Sequence, residues 1–142
     1  MTTAAKTASK PAGRRPKIVI NADDLVHLEG LADGMAKRQP ELAERLLGEI
    51  ARARVVPAAK MPGNVVGMGS TVTYRDETTG QEKSVTLVYP EQADIAQLRV
   101  SVTTPIGVAL LGLAEGARFD WDTRDGERRM LSIIAAVPPG AG

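Results

Sequence analysis

The segment that decides the fold runs from residue 102 to residue 112 and reads Val-Thr-Thr-Pro-Ile-Gly-Val-Ala-Leu-Leu-Gly. It predicts a short helix over residues 105–111, because Thr104 carries the hydroxyl of a helix N-cap and Pro105 has the φ angle that suits a first helical position. Gly112 is typical of the residue that follows a helix. The segment therefore predicts one short, capped helix between two regions of β-strand pattern.

Short β-strand patterns fill most of residues 64–137 around that helix. Polar and apolar residues alternate, and turn residues such as Asp125-Gly126 separate the runs. The runs predict strands at residues 65–68, 71–75, 84–89, 98–103, 118–122 and 129–137. Together they predict an antiparallel sheet of about five or six strands. With the helices in a separate part of the chain, the fold class is α+β.

Two amphipathic helix patterns precede the sheet, at residues 22–33 and 40–54. In each, apolar residues recur at spacings of three and four and form one stripe. Asn21 suits the N-cap of the first helix, Gly34 predicts its end, and Pro40 suits the start of the second. Two such helices, joined by a short loop, predict an antiparallel helical hairpin.

We expect five segments along the chain. They are a disordered basic leader, the helical hairpin, a linker that contains two prolines, the β domain and a flexible tail, at residues 1–17, 18–56, 57–63, 64–137 and 138–142. The leader has five basic and no acidic residues, whereas the remainder has 13 basic and 17 acidic ones. This distribution does not favour a DNA-binding surface on the folded part. The leader would allow a weak contact with nucleic acid, although its composition favours a solubilising segment.

The sequence lacks the residues and motifs that several classes of function require. There is no cysteine and only one histidine, His27, which excludes disulfides and the thiolate or paired-histidine metal sites. No phosphate-binding loop or G-x-S-x-G motif is present, and Ser101 has no local histidine base. Asp120 and Asp122 indicate a solvated strand face rather than an acid pair. We therefore expect neither an enzyme nor a cofactor.

The sequence also predicts where the protein works. The basic start is not followed by the apolar core of a signal peptide, and no run approaches the ~20 apolar residues of a membrane helix. We expect a cytoplasmic protein without membrane contact, and a monomer.

Three motifs, taken in order and spacing, resemble the C-terminal domain of the Gre transcript factors. They are Gly69-Ser70-x-Val72, Leu87-Val88-Tyr89-Pro90-Glu91-x-Ala93-Asp94 and Val100-Ser101-x-x-Thr104-Pro105-Ile106-Gly107-x-Ala109-Leu110-Leu111-Gly112. The resemblance implies an FKBP-like fold. Within that superfamily the short hairpin resembles the Rnk family, the regulators of nucleoside diphosphate kinase, as do Ile18-Val19-Ile20-Asn21 and Met61-Pro62-x-x-Val65-Val66.

The resemblance implies that the partner is RNA polymerase. Gre-like proteins dock their C-terminal domain at the rim of the polymerase secondary channel, and their hairpin enters the channel. By position, the docking residues implied here are Ser101, Thr104, Pro105, Ile106 and Gly107. We expect residues 104–107 to face outward, where a helix start offers N–H groups to a partner, and Leu110 and Leu111 to anchor the helix on the sheet.

The expected hairpin tip departs from the Gre pattern. In true Gre factors, acidic residues at the tip help to hold a second Mg²⁺ and promote RNA cleavage, because a hard cation needs clustered oxygen ligands. Here the tip carries Asp33, Lys37, Arg38 and Glu41, so that two cations stand between the acids. We therefore expect a protein that competes with Gre factors and does not stimulate cleavage.

Two alternatives remain open. The FKBP-like fold suggests a peptidyl-prolyl isomerase, but such a site needs an apolar pocket with aromatic walls, and this chain has four aromatic residues of the Phe, Tyr and Trp types. The family name suggests a direct regulator of nucleoside diphosphate kinase, although the sequence has no kinase motif. Fold alone decides neither.

Overall fold

The computed structural model of the protein describes residues 17–122 and 128–139. Most of the predicted leader, the Asp125-Gly126 turn and the last three residues of the tail lie outside the described residues. The described part combines N-terminal helices with a multistranded sheet, which confirms the α+β class.

The helices come first and form a helix pair. Helix α1 spans Ala22–Met35, helix α2 spans Pro40–Arg52, and residues 36–39 connect them. Their buried faces pack together and consist of Leu28, Ala32, Met35, Leu42, Leu46 and Ile50. The Asn21 side chain accepts the Asp23 N–H at 2.8 Å, which confirms the predicted N-cap.

The predicted end of the first helix is wrong. Helix α1 continues through Gly34 to Met35, whose side chain is buried. A glycine ends a helix by adopting a left-handed conformation, and Gly34 is not among the described glycines with a positive φ. Burial of the Met35 side chain stabilises one more helical residue after Gly34.

Two short strands hold the ends of the helix pair side by side. Strand β1 spans Val19–Asn21 and strand β2 spans Arg54–Val56, and they pair in parallel. Neither strand was predicted, because three residues are too few to show a period. Strand β2 also explains why α2 ends two residues earlier than expected.

The main sheet has five strands. They are β3 at Thr71–Asp76, β4 at Glu82–Val88, β5 at Arg99–Ser101, β6 at Arg118–Asp122 and β7 at Arg128–Val137. Their order across the sheet is β5-β4-β3-β7-β6. All neighbours are antiparallel except β4 and β5, which run parallel.

The sheet therefore differs from the prediction in two places. The expected antiparallel arrangement is wrong for β4 and β5, because residues 89–98 carry the chain back across the sheet end in two short 3₁₀ turns instead of a hairpin. The expected strand at residues 65–68 is reduced to a single bridge between Val65 and Ala114.

Helix α3, at Pro105–Leu110, joins the sheet to the helix pair. The segment after it contains Gly112, which has a φ of +81°, and a Cβ on this glycine would lie 2.7 Å from the Cβ of Ile18. The Val19 N–H donates to the Gly112 carbonyl at 3.0 Å. One core consequently runs from the sheet into the helix pair, through Val72, Leu87, Val108, Leu110, Leu113, Ile133, Ile18, Ile20, Leu28 and Leu46.

None of the helices in the described ranges is both long enough and apolar enough to cross a membrane.

Candidate functional site

The start of α3 is held by the side chain of Thr104. The Thr104 Oγ1 accepts the Gly107 N–H at 3.1 Å and donates to the Ser101 carbonyl at 2.7 Å. One hydroxyl thus ties the first turn of the helix to the end of β5, and the predicted N-cap is confirmed. Pro105 occupies the first helical position and is exposed.

Ser101 shapes the loop from inside. It is 6% exposed, and its Oγ lies 2.7 Å from the Thr103 Oγ1 and accepts the Thr103 N–H at 2.9 Å. Its carbonyl accepts from Thr104. A serine with these bonds fixes the loop that leads into α3, and its own side chain is buried.

Gly107 is also buried, so the expectation that residues 104–107 all face outward is wrong for this residue. A Cβ on Gly107 would lie 2.2 Å from the Ser101 carbonyl oxygen and 2.8 Å from the Val102 Cα. The first turn of α3 therefore lies directly against the backbone of residues 101–102. Exposed area at the helix start comes from Pro105 and, in part, from Thr104 and Ile106.

The predicted anchor of α3 is confirmed. Leu110 is fully buried and Leu111 is 3% exposed. Because both belong to the core cluster, α3 is attached to the sheet through its second half and presents its first half to one side.

Ile106 forms part of a groove of about 290 Å³ on the inward face of the sheet. Helix α3 has six residues, and Ile106 is its one residue among those that line the groove. Its other lining residues are Tyr74, Asp76, Gln81, Lys83, Arg129 and Leu131. Tyr74 is the one aromatic residue among these described lining residues, which is far from the aromatic wall that an isomerase pocket needs.

An ion pair lies along the groove. The Arg129 Nη1 donates to the Asp76 Oδ2 at 2.7 Å. This hydrogen bond holds the pKa of the Asp76 carboxyl below its ordinary value of 3.8. Burial raises the pKa of the neighbouring Tyr74 phenol. The groove is thus partly apolar and partly charged.

The residues expected at the hairpin tip all lie at or beside the connection between α1 and α2. Asp33, Lys37, Arg38 and Glu41 are exposed. The turn is closed by backbone bonds, since the Arg38 and Gln39 N–H groups donate to the Met35 carbonyl at 3.1 and 2.7 Å. Within residues 17–122 and 128–139, no three His, Asp or Glu side chains come together as a metal site.

Sequence reasoning missed one contact between the helix pair and the sheet domain. The Tyr89 hydroxyl donates to the Asp24 Oδ1 at 3.0 Å, and the Tyr89 ring stacks on the His27 ring with centroids 3.9 Å apart and an angle of 11°. Burial raises the pKa of the Asp24 carboxyl. The pKa of the Tyr89 hydroxyl is also raised, mainly by burial and secondly by the negative charge of Asp24. The partners are 65 residues apart along the chain, and no local pattern links them.

Comparison with known proteins gives two family-model matches, in different parts of the chain. A family model described as "Transcription elongation factor, GreA/GreB, C-term" matches residues 61–137, and one described as "Rnk N-terminus" matches residues 16–56. The class is therefore a GreA/GreB-type C-terminal domain preceded by an Rnk-type helical segment. The chain belongs to the Rnk family within the GreA/GreB superfamily of transcription elongation factors.

Individual relatives support this membership. The regulator of nucleoside diphosphate kinase of Escherichia coli (strain K12) is 33% identical over 120 residues, covering 84% of this chain and 88% of that protein. The transcription elongation factor GreA of Brucella canis is 36% identical over 104 residues, covering 70% of this chain and 66% of that protein. Both are named as a regulator or an elongation factor, not as an enzyme.

A solved structure agrees with the fold. The structure described as a prokaryotic transcription elongation factor GreA/GreB from Nitrosomonas europaea is 36% identical and superposes with a TM-score of 0.70. The match covers 87% of this chain and 99% of that one, so it includes both the helices and the sheet.

Proposed function

We propose that this protein binds RNA polymerase as a non-enzymatic regulator of transcription elongation. It docks at the rim of the secondary channel through the start of α3, competes there with Gre factors and does not stimulate transcript cleavage. The observation that carries the proposal is the fixed geometry at Thr104, Pro105 and Ile106, which lie within the part of the chain that matches the GreA/GreB C-terminal family model.

The α3 start suits docking because it is already rigid. The Thr104 cap and the contact of Gly107 with residues 101–102 leave this loop little freedom to lose on binding. Pre-organisation of this kind reduces the entropic cost of association. Pro105 and, in part, Ile106 supply apolar area beside a groove whose charged lining residues are Lys83 and the Arg129–Asp76 ion pair. The partner surface should therefore combine an apolar contact with polar or acidic groups near Lys83.

The proposal includes an antiparallel hairpin and an FKBP-like arrangement of the sheet domain. Support comes from the four-residue connection between the helices and from the mutual packing of their apolar faces. Helices of 14 and 13 residues extend about 20 Å at 1.5 Å per residue. An arm of that length enters a channel without extending far along it.

The chemistry of the tip supports the absence of cleavage stimulation. A second catalytic Mg²⁺ needs clustered oxygen ligands, and Lys37 and Arg38 place two positive charges between Asp33 and Glu41 along the chain. Like charge repels a divalent cation at short range. A protein bound in this way occupies the channel and leaves the reaction of the polymerase unassisted.

The decisive experiment uses a stalled elongation complex with three measurements. Binding of the full-length protein to purified core polymerase should saturate, addition of the protein should not shorten the RNA, and it should reduce the cleavage that an added Gre factor produces. Robust shortening of the RNA by this protein alone would contradict the proposal, as would Gre-dependent cleavage that stays unchanged at saturating protein.

A matched pair of variants tests the docking residues. Ile106→Asp should abolish binding while leaving the far-UV circular dichroism unchanged, whereas Ile134→Asp, at a 39% exposed position on β7, should bind normally. If Ile106→Asp fails to fold, Pro105→Glu at the exposed first position of α3 replaces it. Normal binding by folded forms of both α3 variants would reject this surface.

A pull-down from cell lysate separates the alternatives. Recovery of polymerase subunits supports the proposal, and recovery of nucleoside diphosphate kinase without polymerase supports the direct regulator that the name of the E. coli relative suggests. A prolyl-peptide isomerisation assay tests the FKBP-type activity, which we expect to be at background.

A further inference from the structure

Tyr89 connects the sheet domain to α1 at two points. It follows β4 directly, and its hydroxyl donates to Asp24 while its ring stacks on His27. Asp24 and His27 are three residues apart in α1, so they lie on the same face of the helix, one turn from each other. One side chain of the sheet domain therefore holds a full turn of the helix.

This contact lies away from the base of the helix pair. The base is attached through β1, where Val19 donates to Gly112 and Ile18 packs against the same glycine. At 1.5 Å per residue, Asp24 and His27 lie about 4.5 and 9 Å further along α1 than Asn21. Apolar packing attaches the helix pair beyond its base as well, because α2 contacts α3 and both Leu28 and Leu46 belong to the core shared with the sheet. Tyr89 adds a polar and aromatic contact on α1 to this packing.

The chemistry of the contact favours a fixed angle over simple adhesion. Apolar packing is non-directional and tolerates small rotations. A hydrogen bond to a carboxylate and a parallel ring stack both weaken when the angle changes. Burial raises the pKa of Asp24, so its charge loses hydration here, and the Tyr89 hydroxyl is the partner that offsets part of that loss.

We propose that Tyr89 is a positioning residue that, together with Asp24 and His27, fixes the direction in which the helix pair leaves the sheet domain. The tip residues Lys37 and Arg38 are thereby held at a set place relative to the start of α3. The functional meaning rests on the proposed function: α3 decides where the protein docks, and Tyr89 decides where the tip then points.

The test measures a distance in the free protein. The chain has no cysteine, so Gly34→Cys and Arg118→Cys provide two unique sites for spin labels, one in α1 near the tip and one on the exposed edge of β6. A Cβ at Gly34 meets nothing within 4 Å, so the label is tolerated there. Pulsed electron paramagnetic resonance should give a single narrow distance peak in the otherwise unchanged protein.

Three variants should remove that narrow peak to different degrees. Tyr89→Ala should replace it by a broad distribution, and Asp24→Ala combined with His27→Ala should do the same from the other side of the contact. Tyr89→Phe keeps the stack and loses the hydroxyl, so it should broaden the peak less. Unchanged peak widths in folded Tyr89→Ala and in the Asp24/His27 double variant would overturn the proposal.

The second tyrosine of the chain supplies the control. Tyr74→Phe also removes the hydroxyl of a half-buried tyrosine, but Tyr74 belongs to β3 and lines the groove together with Asp76, so the distance peak should stay narrow. Should Tyr89→Ala unfold, Tyr89→Phe and the double variant still decide the outcome.

The failure of this proposal and that of the proposed function are distinguishable, because the distance measurement needs no polymerase. A broadened peak without any polymerase binding supports Tyr89 as a positioning residue and rejects the proposed function. Normal polymerase binding with unchanged peak widths supports the proposed function and rejects Tyr89 as a positioning residue.

Discussion

Helices α2 and α3 both begin with proline, yet their starts are built differently. At α3, the Thr104 side chain accepts the Gly107 N–H and the first turn lies against the backbone of residues 101–102. At α2, Gln39 precedes Pro40 and makes no side-chain cap bond. The start of α3 is fixed by side-chain bonds and by close contact with the preceding loop, whereas the start of α2 follows a backbone turn and has no side-chain cap bond. The same residue type at the same helical position therefore stands in two different local structures.

The largest expected effect comes from the close packing of Gly107. Gly107→Ala places a methyl group 2.2 Å from the Ser101 carbonyl oxygen, so helix and loop must separate. We expect the free energy of unfolding to fall by about 3 kcal/mol or more, at or above the usual range for overpacking. Urea denaturation followed by circular dichroism measures it. Stability equal to that of the parent protein would show that the close approach is not required.

A smaller loss is expected from the N-cap. Thr104→Ala removes the acceptor for the Gly107 N–H and should cost about 1 kcal/mol, whereas Thr104→Ser should retain most of the stability. Gln39→Ala is the control at the other helix start, where no cap bond exists to lose. Equal effects of Thr104→Ala and Gln39→Ala in the same denaturation experiment would remove the distinction between the two starts.

Gly34 should respond with the opposite sign to Gly107. It lies inside α1 with open space around its missing Cβ. Gly34→Ala should therefore raise the free energy of unfolding by about 0.5–1 kcal/mol, because alanine loses less backbone entropy in a helix. A thermal melt detects the change as a higher midpoint. A lower midpoint would mean that residue 34 has a contact or a role at the tip that packing does not explain.

The smallest effect concerns Asp76 and depends on pH. Its pKa is lower in the folded protein than in the unfolded chain, so the Arg129 hydrogen bond stabilises the fold above pH 3.8 and this stabilisation is lost as the pH falls through the folded pKa. Asp76→Asn should therefore destabilise the protein at pH 7 and have less effect near pH 3. Glu41→Gln, at an exposed carboxyl, serves as the control in denaturation at both pH values. A penalty for Asp76→Asn that grows towards acid would contradict the sign.

Local chemistry made α3 predictable. Thr104, Pro105 and Gly112 each require a particular backbone conformation, and together they bracket the helix to within one residue of its observed end. Gly34 shows the limit of the same reasoning. A glycine allows a helix to end but does not require the helix to end there. Helix α1 continues past Gly34 because the Met35 side chain is buried.

Strand direction was not available from the pattern. Alternation of polar and apolar residues is the same in parallel and antiparallel strands, so nothing within β5 indicates that it runs parallel to β4. The direction follows from the path of residues 89–98. Strands β1 and β2 were missed for a related reason, since their pairing depends on helices that first bring residues 19 and 54 together.

The candidate site divides in the same way. The helix start at this site was predicted from the sequence, but which of its residues reach the surface was not. Ser101 and Gly107 are buried because the helix folds back on the strand before it, and this contact is visible only in three dimensions. The pairing of Tyr89 with Asp24 spans 65 residues and has no local signal at all.

The parallel pairing of β1 and β2 has a consequence for how such proteins diversify. Because these two strands lie side by side, the chain enters and leaves the helix pair at nearly the same place. The core contacts of Leu28 and Leu46 keep the pair on the sheet domain, whereas the connection at residues 36–39 is exposed. A change of length or charge in that connection leaves both ends of the pair where they are. Such a protein can therefore vary at the tip of its helices while the sheet domain keeps its shape.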